Sequence, residues 1–342
     1  MNKTLSNFFD HSFEHFESLS LKPVHIQTLM NEIYKNFSPI DEKMISKIGV
    51  EHYNYFKNNF TFNLPQISKV ESSSDGTYKF LMKMEDGQSV ETVLINFRKK
   101  YTVCLSSQVG CAMGCKFCYT ATQGYIRNLS PSEILGQYIK AYQFILENNL
   151  KKKAMPNIVF MGQGEPLKNF DSVKKALHIF TDKRAFHLGP RQITLSTVGY
   201  LPSIKRFNEL PPINLALSLH SPFNQQRTEL IPVGIQYDLE SILSSLDKVK
   251  LLHKQFITYE YLIIKNLNHS KEHAKKLADI LGKKRALINL IAFNPFPGSL
   301  YQRPSLEDVE SFKNELVKYG LRVMIRITKG EEILAACGQL KS

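Results

Sequence analysis

The sequence predicts an α/β protein in which a partial, open α/β barrel follows a small helical module and a β-hairpin extension. From about residue 101 onward, short apolar runs rich in β-branched residues alternate with stretches of helical spacing. This alternation is typical of a parallel sheet with right-handed crossovers. Six or seven such units across about 230 residues favour an open barrel over a closed eight-fold one.

The N-terminal region, residues 1–65, is expected to be helical and carries no chemical signature. Apolar side chains at Leu29, Ile33 and Tyr34 predict an amphipathic helix over residues 21–37. Three phenylalanines after this helix are expected to lie in the core, namely Phe56, Phe60 and Phe62.

Residues 66–100 change to short alternating runs separated by the turn sequences SSSDGT and EDG, which predicts β-hairpins. In the main domain, residues 101–342, seven apolar runs predict strands at 102–105, 157–161, 192–196, 214–219, 256–264, 287–293 and 322–327. Serine signals predict the starts of three helices, with a capping box at Ser130, a Ser–Asp pair at Ser305 and a plain cap at Ser270.

Polar clusters follow the ends of most of these predicted strands. In α/β folds the loops at the carboxyl ends of the strands build the active site. The clusters lie at 111–118, 162–166, 196–197, 218–220 and Asn294. Polar residues without a common function would be scattered over both rims of the barrel, so a shared site is expected.

The chain is basic, with 44 Lys and Arg against 31 Asp and Glu and a formal net charge of +13. Its hydrophobic content of 43% excludes disorder, a collagen-like repeat and a coiled-coil rod. The positive charge favours a polyanionic partner, usually nucleic acid. Basic runs lie at 98–100, 151–153 and 283–285, with Arg127 and Lys329 near the predicted rim. For any single run, a solvated helix end is the simpler interpretation.

The N-terminus does not resemble a signal peptide, and no run has the length of a membrane helix. We therefore expect a cytoplasmic protein, in which the thiols are reduced. Cysteines in that compartment more often bind metal or take part in catalysis than form disulfides. The chain has five cysteines: Cys104, Cys111, Cys115, Cys118 and Cys337.

Three of the cysteines form the motif Cys111-Ala-Met-Gly-Cys115-Lys-Phe-Cys118. Each thiolate can reach a different iron of a cubic cluster, and because ordinary clusters use four cysteines, three ligands leave one iron open. The alternative is a zinc site with Cys104 as the fourth thiolate. Zinc usually pairs two knuckles well apart in sequence, and no second knuckle is present, so the spacing favours the cluster.

This C-x3-C-x2-C loop, with an aromatic residue before its last cysteine, resembles the signature of radical S-adenosylmethionine (SAM) enzymes. A wider set of motifs is similar to the RlmN/Cfr family of RNA adenine methyltransferases, at 90–93, 104–129, 161–166, 195–197, 218–221, 294–298 and 335–339. The resemblance implies a partial α/β barrel of the radical SAM type.

The resemblance implies one [4Fe-4S] cluster on Cys111, Cys115 and Cys118, whose free iron binds the amino and carboxylate groups of SAM. It implies further SAM contacts at Gly164, Glu165, Ser196, Ser218, Leu219, His220 and Asn294. Independently, a glycine lets the backbone approach a ligand closely and a carboxylate suits an ammonium partner. For His220 taken alone, a hydrogen-bonded core histidine is the simpler interpretation.

The resemblance also implies that two SAM molecules are used per turnover. The first methylates Cys337, and the second gives a 5′-deoxyadenosyl radical that takes a hydrogen atom from the new methyl group. The carbon radical adds to adenine, and Cys104 then attacks the sulfur of Cys337, which releases methylated RNA and leaves a disulfide between the two cysteines. Glu91 matches the proton acceptor of the family, and Cys104 competes for that role. Without the resemblance, Glu91 is a solvent-facing strand residue and Cys337 a buried apolar cysteine.

Within the family, the motifs resemble the branch that methylates carbon 2 of adenine in large-subunit ribosomal RNA and transfer RNA; carbon 8 is the alternative. Three residues depart from the family pattern: Gln163 replaces a Met, Lys329 an Arg and Leu334 an Asp. The resemblance and the charge imply that residues 1–65 bind RNA. We also expect an electron donor such as flavodoxin, a monomer and no membrane.

Two other functions stay open on the sequence alone. A different radical SAM reaction on a non-RNA substrate would share the cluster but give Cys337 no role. A zinc-stabilised, non-catalytic RNA-binding protein would use all four of the clustered cysteines.

Overall fold

The N-terminal region is helical, in agreement with the prediction. A computed structural model describes residues 5–19, 21–97, 99–150, 152 and 154–342. The first elements are β1 Ser6–Asn7, α1 Phe13–Glu17, α2 Pro23–Tyr34, α3 Ile45–Ile48, α4 Val50–Asn59 and β2 Phe60–Thr61. Helix α2 buries Leu29, Ile33 and Tyr34 as expected. Phe56 and Phe60 are buried, and Phe62 is half-buried.

The predicted hairpins form the strands β3 Gln66–Ser72, β4 Tyr78–Lys83 and β5 Ser89–Asn96. Each pairs antiparallel with the next. Strand β5 also pairs antiparallel with the first strand of the main domain, with Val93 opposite Cys104. The hairpins therefore extend the central sheet at one end.

The main domain contains all seven predicted strands, with bounds within a residue or two of the expected ones at most ends. Its strands are β6 Tyr101–Cys104, β7 Gln108–Gly110, β8 Tyr125–Asn128, β9 Asn157–Phe160, β10 Ile193–Thr197, β11 Asn214–Ser218, β12 Ile257–Ile263, β13 Ala286–Ala292 and β14 Val323–Ile325. β7 and β8 form a small antiparallel pair outside the central sheet.

The central sheet has ten strands in the order β14-β13-β12-β11-β10-β9-β6-β5-β4-β3. From β6 to β14 the pairing is parallel throughout. Strands β14 and β3 stand at opposite edges and, within the described part of the chain, do not pair with each other. The barrel is therefore open, as predicted.

Helices connect the parallel strands. They are α5 Pro131–Glu147, α6 Phe170–Thr181, α7 Leu201–Ile204, α8 Asn224–Leu230, α9 Leu239–Leu246, α10 Lys271–Leu281 and α11 Leu306–Lys318. All three predicted serine caps are present. Ser130 and Ser305 form reciprocal capping boxes, and the Ser270 hydroxyl accepts the backbone N–H of His273.

One hydrophobic core joins the N-terminal helices to the barrel. The ring of Tyr34 packs edge-on against Phe186 at 5.1 Å, and Asp10 accepts the backbone N–H of Ser132 at 2.8 Å. The boundary at residue 65 stays a prediction, since packing is continuous across it. Among the described helices, none combines the length and apolar character needed to cross a membrane.

Candidate active site

A cavity opens where the parallel strands end. It brings together most of the residues expected at the site, from loops far apart in sequence: Cys111, Cys115, Cys118, Gly164, Glu165, Ser196, Ser218, His220 and Cys337. Because parallel strands present their carboxyl ends at one edge of the sheet, these loops meet there.

Four expected residues lie outside this first cavity. The side chain of Leu219 is fully buried in the hydrophobic core. Asn294 and Cys104 line a second cavity, and Glu91 lines neither of the two. A contact between SAM and Leu219 would therefore have to come through the backbone.

The cysteine loop is held by backbone hydrogen bonds on three sides. Cys111 donates its N–H to the carbonyl of Gly124 at 2.7 Å, and Lys116 donates to the carbonyl of Leu230 at 3.0 Å. Tyr119 donates to the carbonyl of Gly338 at 2.7 Å, which ties the loop to the segment that carries Cys337. The three thiols consequently face one cavity from a fixed loop.

The donor set fits a cubic cluster better than a single metal ion. Burial raises the pKa of Cys111 to about 12 and raises those of Cys115 and Cys118. The thiols therefore need a bound metal to become thiolates. Within the described residues, no three His, Cys, Asp or Glu side chains are grouped to hold one ion. Cys104, the fourth ligand of the zinc alternative, lines the second cavity and not the one that the other three cysteines share.

Glu165 presents a buried carboxylate to the first cavity. It accepts the backbone N–H groups of Leu167 at 3.0 Å and Val198 at 2.9 Å. Burial raises its pKa to about 7, and no described cation forms an ion pair with it. Gly164 beside it has φ +95°, and a Cβ there would lie 2.5 Å from the side chain of Gln108. The site thus offers an acceptor for an ammonium group, and the chain has no space for a side chain at Gly164.

His220 is both a core histidine and a residue of the cavity wall. Its Nδ1 accepts the backbone N–H of Leu262 at 3.0 Å, and burial lowers its pKa to about 3. The ring is therefore neutral, with its proton on Nε2. A neutral imidazole with Nε2–H offers one hydrogen-bond donor to a bound ligand.

Cys337 lies at the junction of the two cavities and lines both. Asn294 donates from Nδ2 to its backbone carbonyl at 3.3 Å. Cys104 also lines the second cavity, at the end of β6, and burial raises its pKa to about 12. The five cysteines are free thiols.

Comparison with known proteins gives the family. The sequence profile of the Radical SAM superfamily matches residues 105–279. The dual-specificity RNA methyltransferase RlmN of a Nitratiruptor species is 42% identical over 299 residues, which is 83% of either chain. The probable dual-specificity RNA methyltransferase RlmN of Aquifex aeolicus is 40% identical over 96% of this chain and 93% of its own. This chain belongs to the RlmN family of the radical SAM superfamily.

A solved structure agrees with this assignment. A radical SAM methyltransferase from Sphaerobacter thermophilus superposes with a TM-score of 0.88 at 29% identity, over 98% of this chain and 99% of that one. Membership of the radical SAM superfamily implies an iron–sulfur cluster and SAM, which the three-thiol cavity suits.

Glu91 of this RlmN-family chain is buried, so the interpretation as a solvent-facing strand residue is wrong. One carboxylate oxygen pairs with Lys79 at 3.0 Å, and the other accepts the backbone N–H of Lys341 at 2.8 Å. Burial raises the pKa of Glu91, and Lys79 opposes the shift.

Sequence reasoning missed three polar residues around the site, of which Gln163 and Arg227 are buried and Arg326 is half-buried. Gln163, noted only as a departure from the family, bonds to the backbone N–H of Glu91 at 2.8 Å and to the Gln123 side chain at 3.0 Å. Arg326 lines both cavities beside Cys337. Arg227 donates to the backbone carbonyl of Ser218, a residue that lines the first cavity. Gln163 lies within a motif and Arg326 near the end of a predicted strand, whereas Arg227, inside α8, had no sequence signal.

The basic residues near the rim are mostly paired. Arg127 bonds to Asp86 at 2.6 Å and to Glu133 at 2.8 Å, and Lys329 lies 3.8 Å from Asp75. In the third basic run, Lys284 pairs with Asp247. Three members of the other two runs lie outside the described residues: Arg98, Lys151 and Lys153.

Proposed function

We propose that this protein is a SAM-dependent radical methyltransferase that adds a methyl group to carbon 2 of an adenine in RNA. The observation that carries the proposal is that Cys337 lines both cavities, one with the three-cysteine loop and one with Cys104. A methyl carrier must reach both the site where it is loaded and the thiol that releases it. The names of the relatives, dual-specificity RNA methyltransferases, support the reaction and the RNA substrate.

In this proposal Cys111, Cys115 and Cys118 hold one [4Fe-4S] cluster per chain, and two SAM molecules are consumed per turnover. When bound, the cluster supplies the electron that cleaves SAM to a 5′-deoxyadenosyl radical. Residues of the cavity wall orient the methionine end of SAM: Gly164, Glu165, Ser196, Ser218 and His220. Glu165 accepts from the ammonium group, because its buried carboxylate forms no ion pair with a described side chain.

Cys337 accepts the first methyl group, since a thiolate is a strong nucleophile and carbon 2 of adenine is electron-poor. The methyl carbon, once it has lost a hydrogen atom, forms a bond to the adenine ring. The ring radical then gives up the ring proton to a base, and one electron, which balances the electron spent on cleaving SAM. Cys104 attacks the sulfur of Cys337 and forms a disulfide with it; the sulfur–carbon bond breaks, the carbon takes up a proton, and the methylated RNA is free. Both residues line the second cavity, which supports this exchange.

Glu91 accepts the ring proton in this proposal, with Cys104 as the alternative acceptor. Both oxygens of Glu91 are already engaged, by Lys79 and by the backbone of Lys341. For Glu91 to act, residues 339–342 have to move away from it. Cys104 requires no such movement, because it already lines the cavity beside Cys337.

Residues 1–65 bind RNA that flanks the target base, which has to be unstacked to reach the cavity. The formal charge of +13 supports an RNA partner. Deletion of this region would expose the shared core, so charge reversal is the cleaner test. Reversal at the exposed Lys35 and Lys43 should weaken RNA binding and reduce its salt dependence. Reversal of the exposed Lys271 and Lys275 on α10 is the matched control.

The remaining parts of the proposal concern the cellular compartment, the electron donor and the oligomeric state of the enzyme. We place it in the cytoplasm, where its RNA substrates and reduced thiols occur. A one-electron donor such as flavodoxin reduces the cluster, and the protein acts as a monomer.

The decisive experiment reconstitutes the protein anaerobically and incubates it with SAM, a reductant and RNA from a strain that lacks the gene. Mass spectrometry of the nucleosides should show 2-methyladenosine, and Cys337→Ala should give none. Appearance of 8-methyladenosine would assign the reaction to carbon 8. Unmodified RNA with an iron-loaded protein would favour a non-RNA radical SAM reaction, and a colourless protein with stoichiometric zinc would overturn the proposal.

A further inference from the structure

Arg227 is a buried cation that lacks a counter-charge in the described part of the chain. Arg227 lies on α8, and only 1% of its surface is exposed to solvent. Nη2 donates to the backbone carbonyls of Val198 at 2.6 Å and Ser218 at 2.9 Å. Nε and Nη1 have no hydrogen-bond partner among the described residues. Since a buried, unpaired charge is strongly unfavourable, an anionic partner is expected at this position.

The cysteine loop packs directly against the helix that carries Arg227. The carbonyl of Leu230, at the end of α8, accepts the backbone N–H of Lys116. Leu230 and the next residue, Ile231, share an apolar cluster with Cys115. Burial lowers the pKa of Arg227 to about 10, and the Cys115 thiol is the group that opposes this shift. Cys115 is therefore the cysteine of the loop whose charge, once it binds a metal, would act on Arg227.

The two carbonyl partners of Arg227 belong to the wall of the site. Val198 follows β10 and Ser218 ends β11, and both line the first cavity together with Cys115. Arg227 itself does not line that cavity. Its guanidinium therefore lies behind the wall, where it acts on the cavity through charge and through the two carbonyls.

We propose that Arg227 is the counter-charge of the iron–sulfur cluster, a positioning residue that binds no iron but raises the reduction potential of the site. The inference rests on the proposed cluster at Cys111, Cys115 and Cys118. Three thiolates outweigh the positive charge of an oxidised [4Fe-4S] core, so the loaded site is anionic. Reduction by a one-electron donor of the flavodoxin class adds one more negative charge. A buried cation stabilises that charge strongly, because the surroundings have a low dielectric constant.

The test compares Arg227→Gln, which keeps hydrogen-bond donors and loses the charge, with Arg227→Lys, which keeps the charge. Each protein is reconstituted anaerobically, and its cluster is titrated with dithionite and mediators under electron paramagnetic resonance. We expect a more negative midpoint potential for the Gln variant and a potential close to wild type for the Lys variant. Arg206→Gln removes the same formal charge from the surface, where Arg206 pairs with Glu209, and should leave the potential unchanged.

Each result bears on the inference. Loss of iron from the Gln protein but not from the Lys protein would support it, because the charge would then be what the site requires. The inference would be overturned if wild type and Arg227→Gln had equal midpoint potentials. It would also be overturned if both variants showed equal shifts of the potential, or if both lost their iron. Iron content of the wild-type protein tests the proposed function separately, since a wild type that binds no cluster fails before any variant is compared.

Discussion

The carboxylate of Glu91 accepts the backbone N–H of Lys341 at 2.8 Å, although 250 residues separate them. The contact places residues 339–342 over the proposed proton acceptor. Other bonds hold the same segment, since Thr120 donates to the carbonyl of Leu340 at 2.6 Å and Ser342 donates to the carbonyl of Ser89 at 2.8 Å. The segment that carries Cys337 is thus docked on both the cysteine loop and β5.

The buried pair of Glu91 and Lys79 predicts how methylation responds to pH. A base acts only when deprotonated, and burial raises the pKa of Glu91, so the rate should fall as the pH drops through that raised value. Lys79→Met removes the cation that opposes the shift. The pKa of Glu91 should then rise further, moving the acid limb of the pH–rate profile upward by about one pH unit.

Lys83→Met is the matched control for this profile, because Lys83 lies on the same strand as Lys79 but is exposed. The acid limb of the pH–rate profile of Lys83→Met should coincide with that of the wild type. An unchanged limb in the Lys79 variant would mean that Glu91 is not the proton acceptor, and Cys104 would take its place.

Release of RNA depends on Cys104. Cys104→Ala should form the adduct with RNA but be unable to resolve it, so a covalent protein–RNA complex should accumulate after one turnover. The measurement is a denaturing gel followed by mass spectrometry of the linked peptide. The double variant that also carries Cys337→Ala should form no complex. A complex in the double variant would show that another residue carries the methyl group.

Arg326 is expected to speed that release. It lines both cavities, and its charge opposes the rise that burial imposes on the pKa of Cys104. Arg326→Met should raise the pKa of this thiol and slow release by roughly tenfold, since one pKa unit changes the thiolate fraction tenfold. Arg326→Lys should retain part of the rate. Time courses of the protein–RNA complex check both variants. Equal release rates for Arg326→Met and the wild type would argue against an electrostatic effect of Arg326 on Cys104.

Gln163, expected at a position where the family has methionine, lies between Gly162 and Gly164 of the first cavity. Its buried amide joins the backbone N–H of Glu91 to the side chains of Gln123 and Ser342. Gln163→Met should leave the backbone N–H of Glu91 and the side-chain Oε1 of Gln123 without these partners and lower the free energy of unfolding by about 1–3 kcal/mol. Denaturant unfolding measures this, with Gln66→Met at an exposed strand position as the control. Equal stability of the two variants would show that the site repacks around methionine.

Much of the fold could be predicted because it depends on local pattern. Buried parallel strands are short apolar runs, and helix starts need a hydroxyl to accept the first N–H groups, as at Ser130 and Ser270. The positions of the cluster cysteines follow from the spacing of a single loop. Their meeting with Glu165 and His220 follows from strand order, since each lies just after a parallel strand.

The sequence by itself determined the strands of the central sheet, the caps, the three-cysteine loop and the family. Only the tertiary structure decided that Asn294 lies in the second cavity, that residues 339–342 cover Glu91 and that Arg127 is taken up by two carboxylates. These relationships join residues far apart in the chain, and no local pattern encodes them. They depend on which side chains the fold buries together. In such surroundings the dielectric constant is low, so ion pairs and hydrogen bonds form between residues of different helices, strands and loops.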